Sequence, residues 1–368
     1  MDMVPNRVGE ERFVPRCTVV IPTRDRPLEL DQCLQAVTSL DYPRFDVLVV
    51  DNAPRDKRTQ EVATRWGARY VIEPRVGVNR ARNCGARASN AEIVAYLDDD
   101  AVPEPGWLAN LVSEFRNPLV MAAAGRILPL RVRTEAERLF ALKGGFDRGL
   151  ARLSVDQGTP HWFEKASFGD IGTEANMAFR RSAFDEWTGF DERLGRGTAL
   201  GGGGAEYAFF SLVERGYRVV YTPRAVVYHP YPQTLEDLRS RQLRILASTA
   251  GYVTLLFFEH RRYRRRILRF VLGRFRGVPR TWQAPASGPS PRMIPRWRML
   301  LACLRGPFLY ARTVLAQRRS PLAISSDPIG CHPERMRGTL RLRSGQACTS
   351  ETPGTTSAGS SPGKPGSE

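Results

Sequence analysis

Four apolar runs constrain this chain more than any other feature. CTVVIPT (17–23), FDVLVVDNAP (45–54), ARYVIEP (68–74) and EIVAYLDDD (92–100) are rich in β-branched residues, with helix-like stretches between them. After the first run, Leu30, Leu34 and Val37 recur at helical spacing, and residues 79–89 read as a second short helix. Strands that are apolar without alternation are buried on both faces. This predicts an α/β fold with a largely parallel sheet between helices.

The ends of these runs are polar: Thr23-Arg24-Asp25, Asp51-Asn52 and Asp98-Asp99-Asp100. Ligands of such sheets sit beyond the carboxyl ends of the strands, so three strands deliver polar groups to one rim. Three adjacent carboxylates repel one another. A solvated turn accounts for them taken alone. A hard divalent cation, which needs oxygen ligands, accounts for them together with the other strand ends.

The net charge of +17 suggests nucleic acid until it is located. Between Arg239 and Ser320 there are 19 arginines, no lysine and one acid, Glu259, so the rest of the chain is close to neutral. No nucleic-acid motif accompanies this charge, and no nucleic-acid partner is expected. The longest apolar stretch, residues 245–258, has 14 residues and is too short to span a bilayer. Its Arg-rich flank RRYRRR (261–266) fits a helix on an anionic membrane surface, or one packed on the domain with a solvated Arg face. The six cysteines form no CxxC pair and read as bystander thiols. With no apolar N-terminal signal, a cytoplasmic location is expected, peripheral on the inner face of the membrane if the Arg-rich region 239–319 touches lipid.

Further along, a helix is expected at 107–115, a strand at 119–128, irregular chain at 130–170 and a helix near 206–215. RVVY and AVVYH read as two short strands, and 235–275 as a long helical region. From Pro279 onward Pro, Ser and Gly punctuate the chain, and residues 345–368 lack the apolar surface to order themselves.

In order and spacing, VVIPTRDRP, VLVVDNAP, GVNRARNCGA and AYLDDDAVP, followed by ANMAFRRSAF, GFDERLG and VVYHP, resemble glycosyltransferase family 2. The resemblance implies a GT-A type, Rossmann-like fold over residues 17–232, with a nucleotide-binding half (17–128) and an acceptor half (129–232). Residues 1–16 would be a lead, 233–278 a basic helical extension and 279–368 a largely disordered tail. It also implies an inverting transferase that moves a sugar from a UDP-, dTDP- or GDP-linked donor to a saccharide or lipid-linked acceptor, in cell-surface polysaccharide synthesis.

Residue by residue, the resemblance puts Pro22, Thr23, Arg24 and Asp25 at the nucleotide, Asp51 at base or ribose, and Arg82 and Asn83 beside it. Asp98 and Asp99 would contact the sugar nucleotide, and Asp98, Asp100 and His229 would hold Mg²⁺ or Mn²⁺. The chemistry calls for such groups. A divalent cation stabilises charge on a departing diphosphate, and a carboxylate takes the proton of the attacking hydroxyl. Here the chain departs from the family. Where an acid pair is usual, GGGGAEYAFF places Gly204 and Ala205, leaving Glu206 as the expected base and Glu174 as the alternative. Two other readings remain open at this point. One is a sugar-nucleotide-binding scaffold that has lost its base. The other is a sugar-phosphate nucleotidyltransferase, disfavoured because PTRDRP has no glycine.

Overall fold

A computed structural model describes residues 13–275 and 294–319. Among the described residues, nine strands form one sheet. They are β1 (Cys17–Thr23), β2 (Phe45–Asn52), β3 (Arg69–Glu73), β4 (Ile93–Leu97), β5 (Val102–Pro103), β6 (Val120–Pro129), β7 (Leu153–Val155), β8 (Asn176–Arg180) and β9 (Arg218–His229). The helices are α1 (Pro27–Val37), α2 (Arg58–Arg65), α3 (Val78–Ala88), α4 (Trp107–Ser113), α5 (Glu135–Leu142) and α6 (Trp162–Ser167). There follow α7 (Ala183–Glu186), α8 (Gly204–Glu214), α9 (Leu235–Glu259), α10 (Arg264–Phe275) and α11 (Arg296–Arg319).

The sheet runs β3-β2-β1-β4-β8-β6-β9-β5, with β7 on β9. β1 to β4 pair in parallel, as do β6 and β9. β5, β7 and β8 run against their neighbours. This is the mostly parallel, helix-flanked arrangement expected of a GT-A type fold, followed by a helical C-terminal region.

Alternation along the strands explains why the runs are apolar throughout. Val20, Leu48, Val50, Val94 and Tyr96 face one core, shared with α3, α6, α8 and α9. Val19, Ile21, Val49, Ile93 and Leu97 face the other, shared with α1 and α4. Successive side chains of a strand point to opposite faces, and here both faces are covered.

The structure differs from expectation in three places. Residues 130–170 hold α5, β7 and α6 rather than irregular chain. RVVY and AVVYH form one strand, because the pairing with β6 slips from Gly125–Thr222 to Arg126–Val226 and so loops out Pro223 and its neighbours. The Asn176 amide fills that bulge, donating to the carbonyls of Arg126 (3.0 Å) and Ala225 (2.9 Å). Residues 296–319, expected within a disordered tail, form a helix. Its segment Arg296–Gln317 is long and apolar enough to cross a membrane by length and composition. The stretches 1–12, 276–293 and 320–368, which carry most of the expected lead and tail, lie outside the described residues.

Candidate active site

β4 ends at Leu97, and the three aspartates follow on the turn closed by Ala101 N–H to the Asp98 carbonyl (3.1 Å). The chain then pairs β5 with the end of β9, Val102 opposite Tyr228. That pairing delivers the next residue, His229, to the carboxylates. One ligand atom each of Asp98, Asp100 and His229 lie within 4.8 Å of one another. His229 Nε2 is 3.1 Å from Asp100 Oδ1 and 3.6 Å from Asp98 Oδ2.

The other ring nitrogen fixes how His229 presents itself. Nδ1 lies 2.8 Å from the Pro230 carbonyl, which can only accept, so Nδ1 carries a proton. In the neutral ring Nε2 then turns a lone pair to the two carboxylates, as a metal-ligating imidazole does. Asp100 Oδ1 is buried and has no hydrogen-bond donor of its own. These three side chains therefore fit a divalent cation. With no cation, a proton takes that place. Burial opposes charge on His229, yet Asp100 and Asp98 raise it to about 10. Burial likewise opposes ionisation of Asp100 and Asp98, but His229, with Arg26 on the first and Arg82 on the second, holds both below the ordinary carboxylate range.

The middle aspartate does something else. Thr23 Oγ1 donates to Asp99 Oδ2 (2.7 Å) and Arg26 Nη1 to Asp99 Oδ1 (2.6 Å), while Arg26 Nη2 reaches Asp100 Oδ2 (2.8 Å). Asp99 is 5% exposed, and both of its oxygens are engaged by the loop after β1. It anchors the Pro22–Arg26 loop. Arg26, the last residue of the expected nucleotide-contacting loop Pro22–Arg26, thus pairs with two of the three carboxylates. Within the same loop Asp25 has a positive φ of 54° and pairs with Arg55 (3.2 Å), and Arg24 is half-exposed beside it.

Arg82 is 1% exposed and bridges two acids, with Nη1 3.0 Å from Glu174 Oε2 and Nη2 3.7 Å from Asp98 Oδ1. Asn83 is buried and bonded to the backbone of Phe190. Its amide donates to the Phe190 carbonyl (2.8 Å) and accepts from the Phe190 N–H (2.8 Å), fixing the loop after α7. Thr23 and Asp51 are register partners at the ends of β1 and β2. Tyr70 donates to Asp51 Oδ2 (2.9 Å), while Asp51 Oδ1 is buried without a hydrogen-bond partner.

Asp51 supplies a test of its own. Burial raises its pKa from 3.8 to about 6, against hydrogen bonds from Tyr70 and Thr59. The folded state thus binds this proton more tightly than the unfolded chain, so stability falls as pH rises from about 4 to 6. Asp51→Asn is expected to raise unfolding stability by about 1–3 kcal/mol at pH 7.5 and by little at about pH 3.5, below the unfolded pKa. Denaturant melts at both values check this, and equal gains at the two would contradict it.

Asp98, His229, Glu174 and Glu206 line one cavity of about 1260 Å³. Glu206 is half-buried in the first turn of α8, where the helix dipole favours a carboxylate. Glu174 Oε1 lies against the start of the same helix, 2.4 Å from where a Cβ on Gly204 would stand. Position 204 therefore has no room for an acid. The carboxylate from the loop before β8 already fills that space.

Fold and site together define an α/β protein with an Asp98–Asp100–His229 cluster at the strand ends that could hold a metal ion. Residues 18–188 match the family described as Glycosyl transferase family 2. Glu206 and His229 lie beyond the matched segment. A pre-mycofactocin glycosyltransferase of Mycobacterium tuberculosis is 31% identical over 227 residues, covering 61% of this chain and 45% of that protein. An N-acetylglucosaminyltransferase of Rhizobium meliloti is 27% identical over 261 residues, covering 65% and 57%. The chain thus spans about half the length of these curated relatives. Among solved structures, a mannosyltransferase from Pyrobaculum calidifontis in complex with GDP-Man and Mn²⁺ is similar at 20% identity and a TM-score of 0.49, covering 84% of this chain and 76% of that one.

Proposed function

We propose that this chain is an inverting glycosyltransferase that moves a sugar from a UDP-, dTDP- or GDP-linked donor to a saccharide or lipid-linked acceptor, serving cell-surface polysaccharide synthesis. The observation that carries the reading is the convergence of Asp98, Asp100 and His229 on one point, with Glu206 and Glu174 in the cavity beside it. The glycosyltransferase names of both relatives support it. Asp98, Asp100 and His229 would hold Mg²⁺ or Mn²⁺, which stabilises negative charge on a diphosphate leaving group.

The protein's own groups do the rest. Asp51 and the Pro22–Asp25 loop hold the nucleoside, and Arg82 keeps Asp98 and Glu174 in place. Glu206 accepts the proton of the acceptor hydroxyl as its oxygen attacks the anomeric carbon from the face opposite the nucleotide. A general base of this kind contributes about 10² to 10⁴ in rate. The Arg-rich helices α9 to α11, with exposed Phe258, Leu268 and Phe308, support peripheral contact with an anionic membrane at a cytoplasmic site.

The second reading, a binding scaffold without chemistry, draws on the missing acids at Gly204 and Ala205. Slow transfer of the donor sugar to water, followed by proton NMR before mutarotation, separates the two. Release of the sugar with configuration opposite to the donor's is expected. Retained configuration would rule out direct displacement. Binding of a donor with no release would favour the scaffold.

A further inference from the structure

The cavity beside the triad extends well past the residues named so far. Its outer wall is built by α9 and α11, which contribute Arg241, Arg244, Arg298 and Arg305 together with Leu301 and Leu309. Arg196, from the loop before α8, lines it too. None of these five arginines forms an ion pair among the described residues. Arg241 is the informative one. It is half-buried between Phe140 and Phe146, 5.4 and 4.7 Å from the ring centroids, and its Nε is buried without a hydrogen-bond partner. Burial, and then Arg196 and Arg244, lower its pKa to about 10. Asp98 and Asp100 offset part of this lowering, yet among the described residues no carboxylate forms an ion pair with Arg241.

The second feature is α11 itself. It packs on α9 where Gly306 meets Gly251, so closely that a Cβ on Gly306 would fall 2.4 Å from the Gly251 nitrogen. Residues 298, 302, 305 and 309 follow helical spacing and give this helix a cavity face. Trp297, Leu300, Leu304 and Phe308 follow the same spacing about a third of a turn away and are 54–75% exposed. The helix therefore shows arginines to the cavity and an apolar stripe to the outside. A soluble sugar would use neither the stripe nor so many cations.

Building on the transferase reading, we infer that the α9–α11 wall is an acceptor subsite for a lipid phosphate. The phosphate takes the anion position among Arg241, Arg244, Arg298 and Arg305. The hydrocarbon tail leaves along the apolar stripe of α11 into a lipid surface. The reacting end points inward, to Glu206 and the donor. Guanidinium–phosphate hydrogen bonds are charge-assisted and strong, and the apolar stripe supplies the affinity that an inorganic anion lacks.

The test is binding of farnesyl phosphate to the full chain in mild detergent, with farnesol and inorganic phosphate as matched probes. Farnesyl phosphate is expected to bind about tenfold or more tightly than either, and Arg298→Ser with Arg305→Ser to lose about tenfold of that affinity. The same double variant is expected to bind a nucleoside diphosphate with Mn²⁺ as the parent does. Farnesol binding as tightly would leave only an apolar groove and overturn the phosphate site. Inorganic phosphate binding as tightly would overturn the lipid. Loss of nucleotide affinity in the double variant would assign these arginines to the donor instead. Nucleotide binding in the parent, measured on the same preparation, keeps failure of this inference distinct from failure of the transferase reading.

Discussion

Asp100→Ala is expected to abolish metal-dependent nucleotide binding and to lower turnover by on the order of 10³-fold, several kcal/mol of stabilisation of the leaving group. Asp100 has the largest effect of the three because it serves two partners at once. Its Oδ2 is tied to Arg26 and its Oδ1 faces His229. Removing it takes away a ligand and also the ion pair that orients the Pro22–Arg26 loop. The loss should therefore appear in binding as well as in rate. Stability should change little, since Arg26 keeps Asp99 and is itself partly exposed. Isothermal titration with a nucleotide, alongside a thermal melt, checks both. Unchanged nucleotide affinity in a folded variant would remove Asp100 from the site.

Glu206→Gln should behave differently. Turnover is expected to fall by about 10² to 10⁴ while donor affinity holds, because a base acts on the acceptor's proton and not on the nucleotide. The comparison with Glu174→Gln decides between the two carboxylates of the cavity. Glu174 gives Oε2 to Arg82 and presses Oε1 against α8, so its role is to hold Arg82 beside Asp98. Its variant should disturb donor affinity, leaving the buried Arg82 with one fewer partner. A pure rate effect at Glu174 with normal turnover at Glu206 would exchange their roles.

The strand runs and the acidic ends were legible because burial on both faces leaves an unbroken apolar signature, and few causes place charge directly after it. His229 was reachable only through the resemblance, since its neighbourhood is created by β5 pairing with β9 across more than a hundred residues of sequence. Asn83 and Asp99 have partners that the motifs do not reveal. A motif fixes a residue type near a site but not which way the side chain turns, and here Phe190, Thr23 and Arg26 claim those polar atoms. The two-strand reading of β9 failed at Pro223, which breaks the pairing locally while Asn176 repairs it from another strand. α11 was hidden by composition. Its Gly306 and Pro307 read as breakers, yet Gly306 is where the helix meets α9 and Pro307 lies inside a continuous helix.

A metal site for a sugar nucleotide at Asp98, Asp100 and His229 makes nucleotide binding depend on the metal. Calorimetric titration of the wild-type protein with UDP, dTDP and GDP, each with and without Mn²⁺, tests it most directly. One nucleotide is expected to bind, and only when the metal is present. Equal binding without metal, or no binding of any nucleotide to folded protein, would contradict it and return the three aspartates to a charged turn.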